Sequence, residues 1–164
     1  NIVKVMKVEC LEPGVSPVTL EDVKKHLRIT GDEFDDNLRG LLEAATDAAE
    51  NFTGLKLRDE SYSVICDYSR EIATGLLPIR SVEVKVDGET VEGAVVNGSK
   101  VLLPVVPGST VEMTVRTGYL LLPHAIQAAI LLMTGKLFDN PSDSVENLPK
   151  ASTNLLKHYR RWER

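Results

Sequence analysis

The chain is poor in aromatic residues, has two cysteines, and lacks an apolar run long enough to cross a membrane. Phe, Tyr and Trp make up 5% of its 164 residues, too few to offer the stacked platforms on which single-stranded bases rest. Cys10 and Cys66 stand far apart with no CxxC spacing; neither a disulfide framework nor a zinc site is indicated, and a reducing compartment is expected. The longest apolar stretch, around Ala125 to Met133, is about half of the roughly 18 residues a membrane span requires. Basic charge is not in excess either. A net charge of -5 argues against a surface built to hold nucleic acid phosphates.

Catalytic signatures are missing too. His26, His124 and His158 fall in three separate stretches with no HExxH or other ligand spacing, and the chain has no GxSxG, GxxxxGK[ST] or GxGxxG. Asp32, Glu33, Asp35 and Asp36 crowd together, but acids at a helix start stabilise it through the backbone dipole, and their spacing does not fit a calcium loop. No catalytic residue, metal site or cofactor is therefore expected.

What remains is the pattern of an ordinary folded chain, with 43% hydrophobic and 26% charged residues and a length suited to one core. Ile2 to Val8 reads as a strand or arm that ends at Pro13, Gly14 and Pro17. Thr19 is placed to accept from the amide of Asp22 and open a helix whose Leu20, Val23 and Leu27 share a face. From Glu33 to Thr53 the apolar residues Phe34, Leu38, Leu41, Leu42, Ala45, Ala48, Ala49 and Phe52 recur by threes and fours, with Gly54 placed as the C-terminal cap. After Leu57 the period drops to two, around Tyr62, Val64 and Cys66, then Val82, Val84 and Val86, then Val111, Met113 and Val115. Asp87-Gly88, Asn97-Gly98 and Pro107-Gly108 mark turns between strands. Pro123 opens a third helix, apolar on nearly all sides, which needs cover on all sides. A polar stretch, Asn140 to Ser144, precedes a last amphipathic helix with Leu155, Leu156, Tyr159 and Trp162 on one side. The expected fold is α+β: N-terminal and C-terminal helices packed with an antiparallel β-meander of about five strands.

Charge is unevenly spread. Between Gly31 and Glu60 nine acids face three basic residues, while the last fifteen residues carry Lys150, Lys157, Arg160, Arg161 and Arg164 against Glu163 alone.

Several blocks, in order, resemble the head-tail connector family of tailed phages, also called adaptor, head completion or neck proteins. They are V-T-L-E-D-V-K-K-H-L-R-I from Val18, A-A-E-N-F-T-G ending at Gly54, L-L-P-I-R-S-V from Leu76, R-T-G-Y from Arg116 with P-H-A-I-Q-A-A-I-L-L-M from Pro123, and L-P-K-A-S-T-N-L-L-K-H-Y-R from Leu148. One departure stands out: a single Phe138 follows the Pro-initiated helix, where the family commonly places several large aromatics.

The resemblance implies a non-enzymatic protein of the virion neck, present in the host cytoplasm during assembly. Its partners would be the portal protein, a tail or stopper protein, further copies of itself in a ring (twelvefold on the portal), and passing double-stranded DNA held without specific binding; no membrane is involved. Residues 1–140 would form the connector domain and 141–164 a polar linker with a docking helix. Portal binding would fall to Leu155, Leu156, Tyr159, Arg160, Arg161, Trp162 and Arg164. Asp35, Asp36, Glu43, Asp47 and Glu50 would line the channel or the subunit interface. Two other classes compete: a monomeric binding module with the β-meander as ligand platform, and an enzyme whose carboxylates, such as Asp67 or Glu112, meet in a cleft.

Overall fold

The computed structural model describes residues 2–4, 7–141 and 148–161. It divides into two compact units, each assembled from separated stretches of chain: Asn1–Gly14 with Arg58–Leu120, and Val15–Leu57 with Leu121–Arg164. The strands lie in the first and the helices in the second, which is the α+β class expected from the change of period.

In the first unit β1 (Ile2–Lys4), β2 (Lys7–Glu12), β3 (Ser61–Asp67), β4 (Glu71–Ala73), β5 (Ile79–Val86), β6 (Glu89–Val91), β7 (Val95–Asn97), β8 (Lys100–Leu102) and β9 (Thr110–Thr117) form two sheets. The five-stranded sheet has the order β2-β3-β9-β5-β6, and the four-stranded one β1-β4-β8-β7, with β1 parallel to β4. The expected strands are present, but their order departs from a simple meander because β9 lies between β3 and β5. Strict alternation explains the choice: β9 buries Val111, Met113, Val115 and Thr117 and can serve a buried neighbour on each side. Met113 stands opposite Val64 of β3 and Val84 of β5. Ile72, Leu76, Val101 and Leu103 complete the same apolar cluster. Asp87 (φ 49°) and Gly88 (φ 86°) make the tight β5–β6 turn, both in the left-handed region that such hairpins need.

The second unit contains α1 (Leu20–Leu27), α2 (Asp35–Thr53), α3 (His124–Asp139), α4 (Lys150–Leu156) and a 3-10 turn over Lys157–Tyr159. Helix α1 opens on the capping box expected from its sequence, with the Asp22 amide donating to Thr19 Oγ1 at 3.1 Å and the Thr19 amide to the Asp22 carboxylate at 3.3 Å. Helix α2 ends on Gly54 at φ 75°, as its sequence foretold. Helix α3 packs against α1, α2 and α4, burying Ile126, Ala129, Ile130 and Met133. Phe138 meets Phe34 edge-on, with ring centroids 5.5 Å apart.

Helix α4 packs on α3 and α2. Leu156 is fully buried, and Ser152 donates from its hydroxyl to the Ala129 carbonyl of α3 at 3.2 Å. Of the expected linker, Ser142 to Ser144 lie outside the described residues.

Candidate interaction surfaces

The acidic face of α2 was singled out from charge alone, and the structure divides it by task. Asp35 pairs with Lys24 of α1 at 2.9 Å, both side chains largely covered. Glu43 accepts from the Ser16 amide at 2.8 Å and Glu50 from the Leu57 amide at 2.8 Å, so these two carboxylates satisfy loop backbone, one before α1 and one after α2. Asp36, fully exposed, pairs with Arg39 one turn on at 3.0 Å, an arrangement worth little in water. Asp47 is exposed on the same helix. Asp36 and Asp47 are thus the most exposed members of the set.

The C-terminal segment was expected to carry one continuous apolar stripe. The helix instead ends at Leu156, passes through the 3-10 turn, and Arg160 is extended (φ -67°, ψ 127°). The cause is a distant bond that local spacing cannot reveal: the Arg161 amide donates to the Thr53 carbonyl at 2.7 Å, satisfying a carbonyl left open at the end of α2. The Arg161 guanidinium reaches the Gly54 carbonyl at 3.4 Å, and that of Arg160 lies 4.9 Å from the centre of the Phe52 ring. Two cations at the negative end of α2 also suit its dipole. Burial pulls the pKa of Arg161 below its ordinary value. Of the portal-binding candidates, then, Leu156 is interior, Arg160 and Arg161 sit on α2, and Leu155 and Tyr159 are half-buried. Trp162 and Arg164 lie outside the described residues.

In the strand unit, Asp67 and Glu112 are both exposed on neighbouring strands. Asp59 accepts two bonds from Arg116, at 2.6 and 2.5 Å, and a third from Arg80 at 3.2 Å. The Arg116 hydrogen bonds hold the Asp59 carboxyl below its usual value against an opposing desolvation effect, with further help from Arg80. Among the described residues no group of three or more His, Cys, Asp or Glu is placed to hold a metal ion, and no helix is long and apolar enough to cross a membrane.

Sequence reasoning missed two apolar features. Leu120 and Leu121, between β9 and α3, are 87% and 84% exposed. An apolar cleft in the helical unit is formed by Val15, Val18, Leu20 and Leu42, with Arg39 and Glu43 at its edge. The signal for the first was readable: three consecutive leucines follow Gly118-Tyr119 in a stretch with neither helical nor strand period.

An α+β chain of this kind, with its acids tied to helices and loops, has the fold of particle neck components. A chain in "Neck of empty GTA particle computed with C6 symmetry" matches it with a TM-score of 0.73 at 19% identity, over 96% of this chain and 97% of that one. A chain in the virion of a native gene transfer agent particle gives 0.71 at 20%, over 96% and 97%. One in the neck of the native particle, computed with C12 symmetry, gives 0.68 at 18%, over 94% and 96%. Residues 17–78 match the family of phage gp6-like head-tail connector proteins, which bears out the resemblance drawn from the sequence blocks. No curated protein matches the chain.

Proposed function

We propose that the chain is a structural head-tail connector of a virion neck, forming a ring beneath the portal that extends the DNA channel and gives the tail its docking place. The observation that carries this reading is the full-length likeness to chains in particle necks computed with sixfold and twelvefold symmetry, together with the connector-family match over residues 17–78. A ring of identical chains needs head-to-tail contacts between unlike surfaces. The acidic balance suits a conduit, because like charge withholds the phosphate contacts that give nonspecific affinity for DNA. Portal docking falls to the C-terminal segment, through Leu155, Tyr159 and Trp162 and its basic residues. Assembly takes place in the host cytoplasm, and the finished protein resides in the virion neck.

The test is to mix the purified chain with the portal assembly of its own particle and examine the product by electron microscopy and native mass spectrometry. A closed ring on the portal, with weak and strongly salt-dependent binding of free duplex DNA, is the expected result. Isolated subunits, two-fold pairs only, or tight duplex binding at physiological salt would overturn the proposal.

A further inference from the structure

An asparagine followed by glycine is chemically vulnerable: the glycine amide nitrogen, with no side chain crowding it, can attack the asparagine side-chain carbonyl carbon and close a five-membered ring. The chain contains one such pair, Asn97-Gly98, and the fold leaves it open to this reaction. It lies at the turn that joins β7 to β8, with Gly98 at φ 63° in the left-handed region. Both residues are exposed. Among the described residues nothing hydrogen-bonds the Asn97 side chain or the Gly98 amide, so electrophile and nucleophile are both unengaged. Strand β7 is three residues long and forms one edge of its sheet; a short edge opens readily, which gives the backbone the freedom that ring closure needs. The far side of the turn is anchored, because the Ser99 carbonyl accepts from the Thr74 amide at 3.0 Å and the Thr74 hydroxyl at 2.6 Å.

The comparable positions are blocked, each for its own reason. Asp87-Gly88 also occupies a tight hairpin turn, but its carboxyl is held by the Ser109 amide at 3.1 Å, the Ser109 hydroxyl at 3.3 Å and the Thr110 amide at 2.9 Å, and an ionised carboxylate resists nucleophilic attack. Asn37, Asn51 and Asn154 lie in α2 and α4, where the amides that follow them belong to the helix. Asn140 precedes Pro141, whose nitrogen carries no hydrogen. Among the described asparagines, Asn97 alone combines an unheld side chain with an unheld neighbouring amide.

We infer that Asn97 is a site of covalent self-modification, converting through a cyclic imide with Gly98 to aspartyl and isoaspartyl forms. In the first step a bond forms between the Gly98 nitrogen and Asn97 Cγ, the Cγ–Nδ2 bond breaks, and the side-chain nitrogen leaves as ammonia with the proton that the Gly98 nitrogen gives up. Water then opens the ring. Cleavage of the new Cγ–nitrogen bond yields an aspartyl residue; cleavage of the original peptide bond to Gly98 yields an isoaspartyl residue, with the main chain rerouted through the side chain. Either product is a carboxylic acid that ionises at neutral pH. Charge thus enters an uncharged stretch, Gly93 to Ser99, opposite the ladder partner Lys100, whose ammonium pairs with Glu71 at 3.2 Å. A charge on an exposed edge also discourages pairing with another sheet edge. The reaction requires neither portal nor ring.

The test is to age the purified full chain in mildly alkaline buffer made with water enriched in the heavy oxygen isotope, then digest it in ordinary water and weigh its peptides by mass spectrometry. The expected result is two products of the Asn97 peptide, equal in mass and different in retention, each carrying one solvent oxygen and one of them a substrate for an isoaspartyl methyltransferase. A helical amide must first lose its hydrogen bond, so conversion at Asn97 should run at least about tenfold faster than at Asn37 or Asn51. Asn97→Gln moves the carbonyl out of reach of a five-membered ring and should abolish the change, with the circular dichroism spectrum unaltered because the side chain is exposed. Equal rates at Asn97 and the helical asparagines, conversion at Asn97 only after unfolding in urea, or the same mass gain in that peptide of the Asn97→Gln chain would each overturn the inference.

Discussion

Leu155 and Leu156 are adjacent in sequence and were both candidates for docking, yet the structure gives them opposite fates, so they make a sharp test. Leu156 has no exposed surface and lies where α4 packs on α2 and α3. Truncating it removes three side-chain carbons and leaves a void that the surrounding helices close only in part. A substitution of this kind costs about 2–5 kcal/mol. Taking about 3 kcal/mol, and about 2–4 °C per kcal/mol for a chain of this size, Leu156→Ala should lower Tm by roughly 6–12 °C. Leu155 is half-buried, and Leu155→Ala should stay within about 1 kcal/mol of the parent while weakening portal binding. Far-UV circular dichroism is the right monitor for both, because every described helix belongs to the unit that Leu156 supports. If Leu156→Ala melts with the parent and loses portal affinity instead, Leu156 is a surface residue and the account of α4 as interior fails.

Three further outcomes follow from the strand unit. Gly118→Ala should cost about 2 kcal/mol or more in urea unfolding, since it adds an unfavourable positive φ to a clash with the Arg58 backbone; an unchanged midpoint would show that the backbone at Gly118 is free to move away from Arg58. The Asp59 carboxyl is held below 3.8 chiefly by its Arg116 hydrogen bond, and Asp87 by the Thr110 and Ser109 amides. A lowered folded-state pKa stabilises fully above the ordinary value and is lost as pH falls through the lowered one, so stability should drop as pH falls below 3.8, and less steeply in Asp59→Asn/Asp87→Asn. Cys10 is exposed and Cys66 buried, with desolvation first and the Asp67 charge second raising the Cys66 thiol; a maleimide should therefore modify Cys10 in the folded protein and reach Cys66 only on unfolding.

Local chemistry was legible wherever it depended on a few neighbouring residues. The Thr19–Asp22 box, the Gly54 cap and the Asp87-Gly88 turn are determined by side-chain reach and positive φ, and the sequence displays both. What it hid depends on residues far apart along the chain. The insertion of β9 between β3 and β5 is decided by which strands can share buried partners, and the small sheet exists because Ile72 and Val101 pair across twenty-nine residues of chain. The apolar spacing of Leu155, Leu156 and Tyr159 predicted one helix. The open Thr53 carbonyl, more than a hundred residues earlier, draws Arg161 into an extended course. The acids of α2 were visible as charge, but their division into two loop anchors, one partly buried pair and two exposed carboxylates is a tertiary property. Leu120 and Leu121 were visible as letters, and only the fold shows them left bare.

Because each unit is assembled from two separated stretches, the order in which the chain leaves the ribosome matters. The strand unit has all its parts once Leu120 has emerged, but α1 and α2 appear long before α3, their main apolar partner. Leu121 is sixty-four positions beyond Leu57, so at roughly 5–20 residues per second the stripe of Leu38, Leu42, Ala45 and Ala49 waits about 3–13 s for its cover. Nascent chains halted at Leu120 should therefore bind a hydrophobic chaperone through α2, whereas chains released after Arg161 should not.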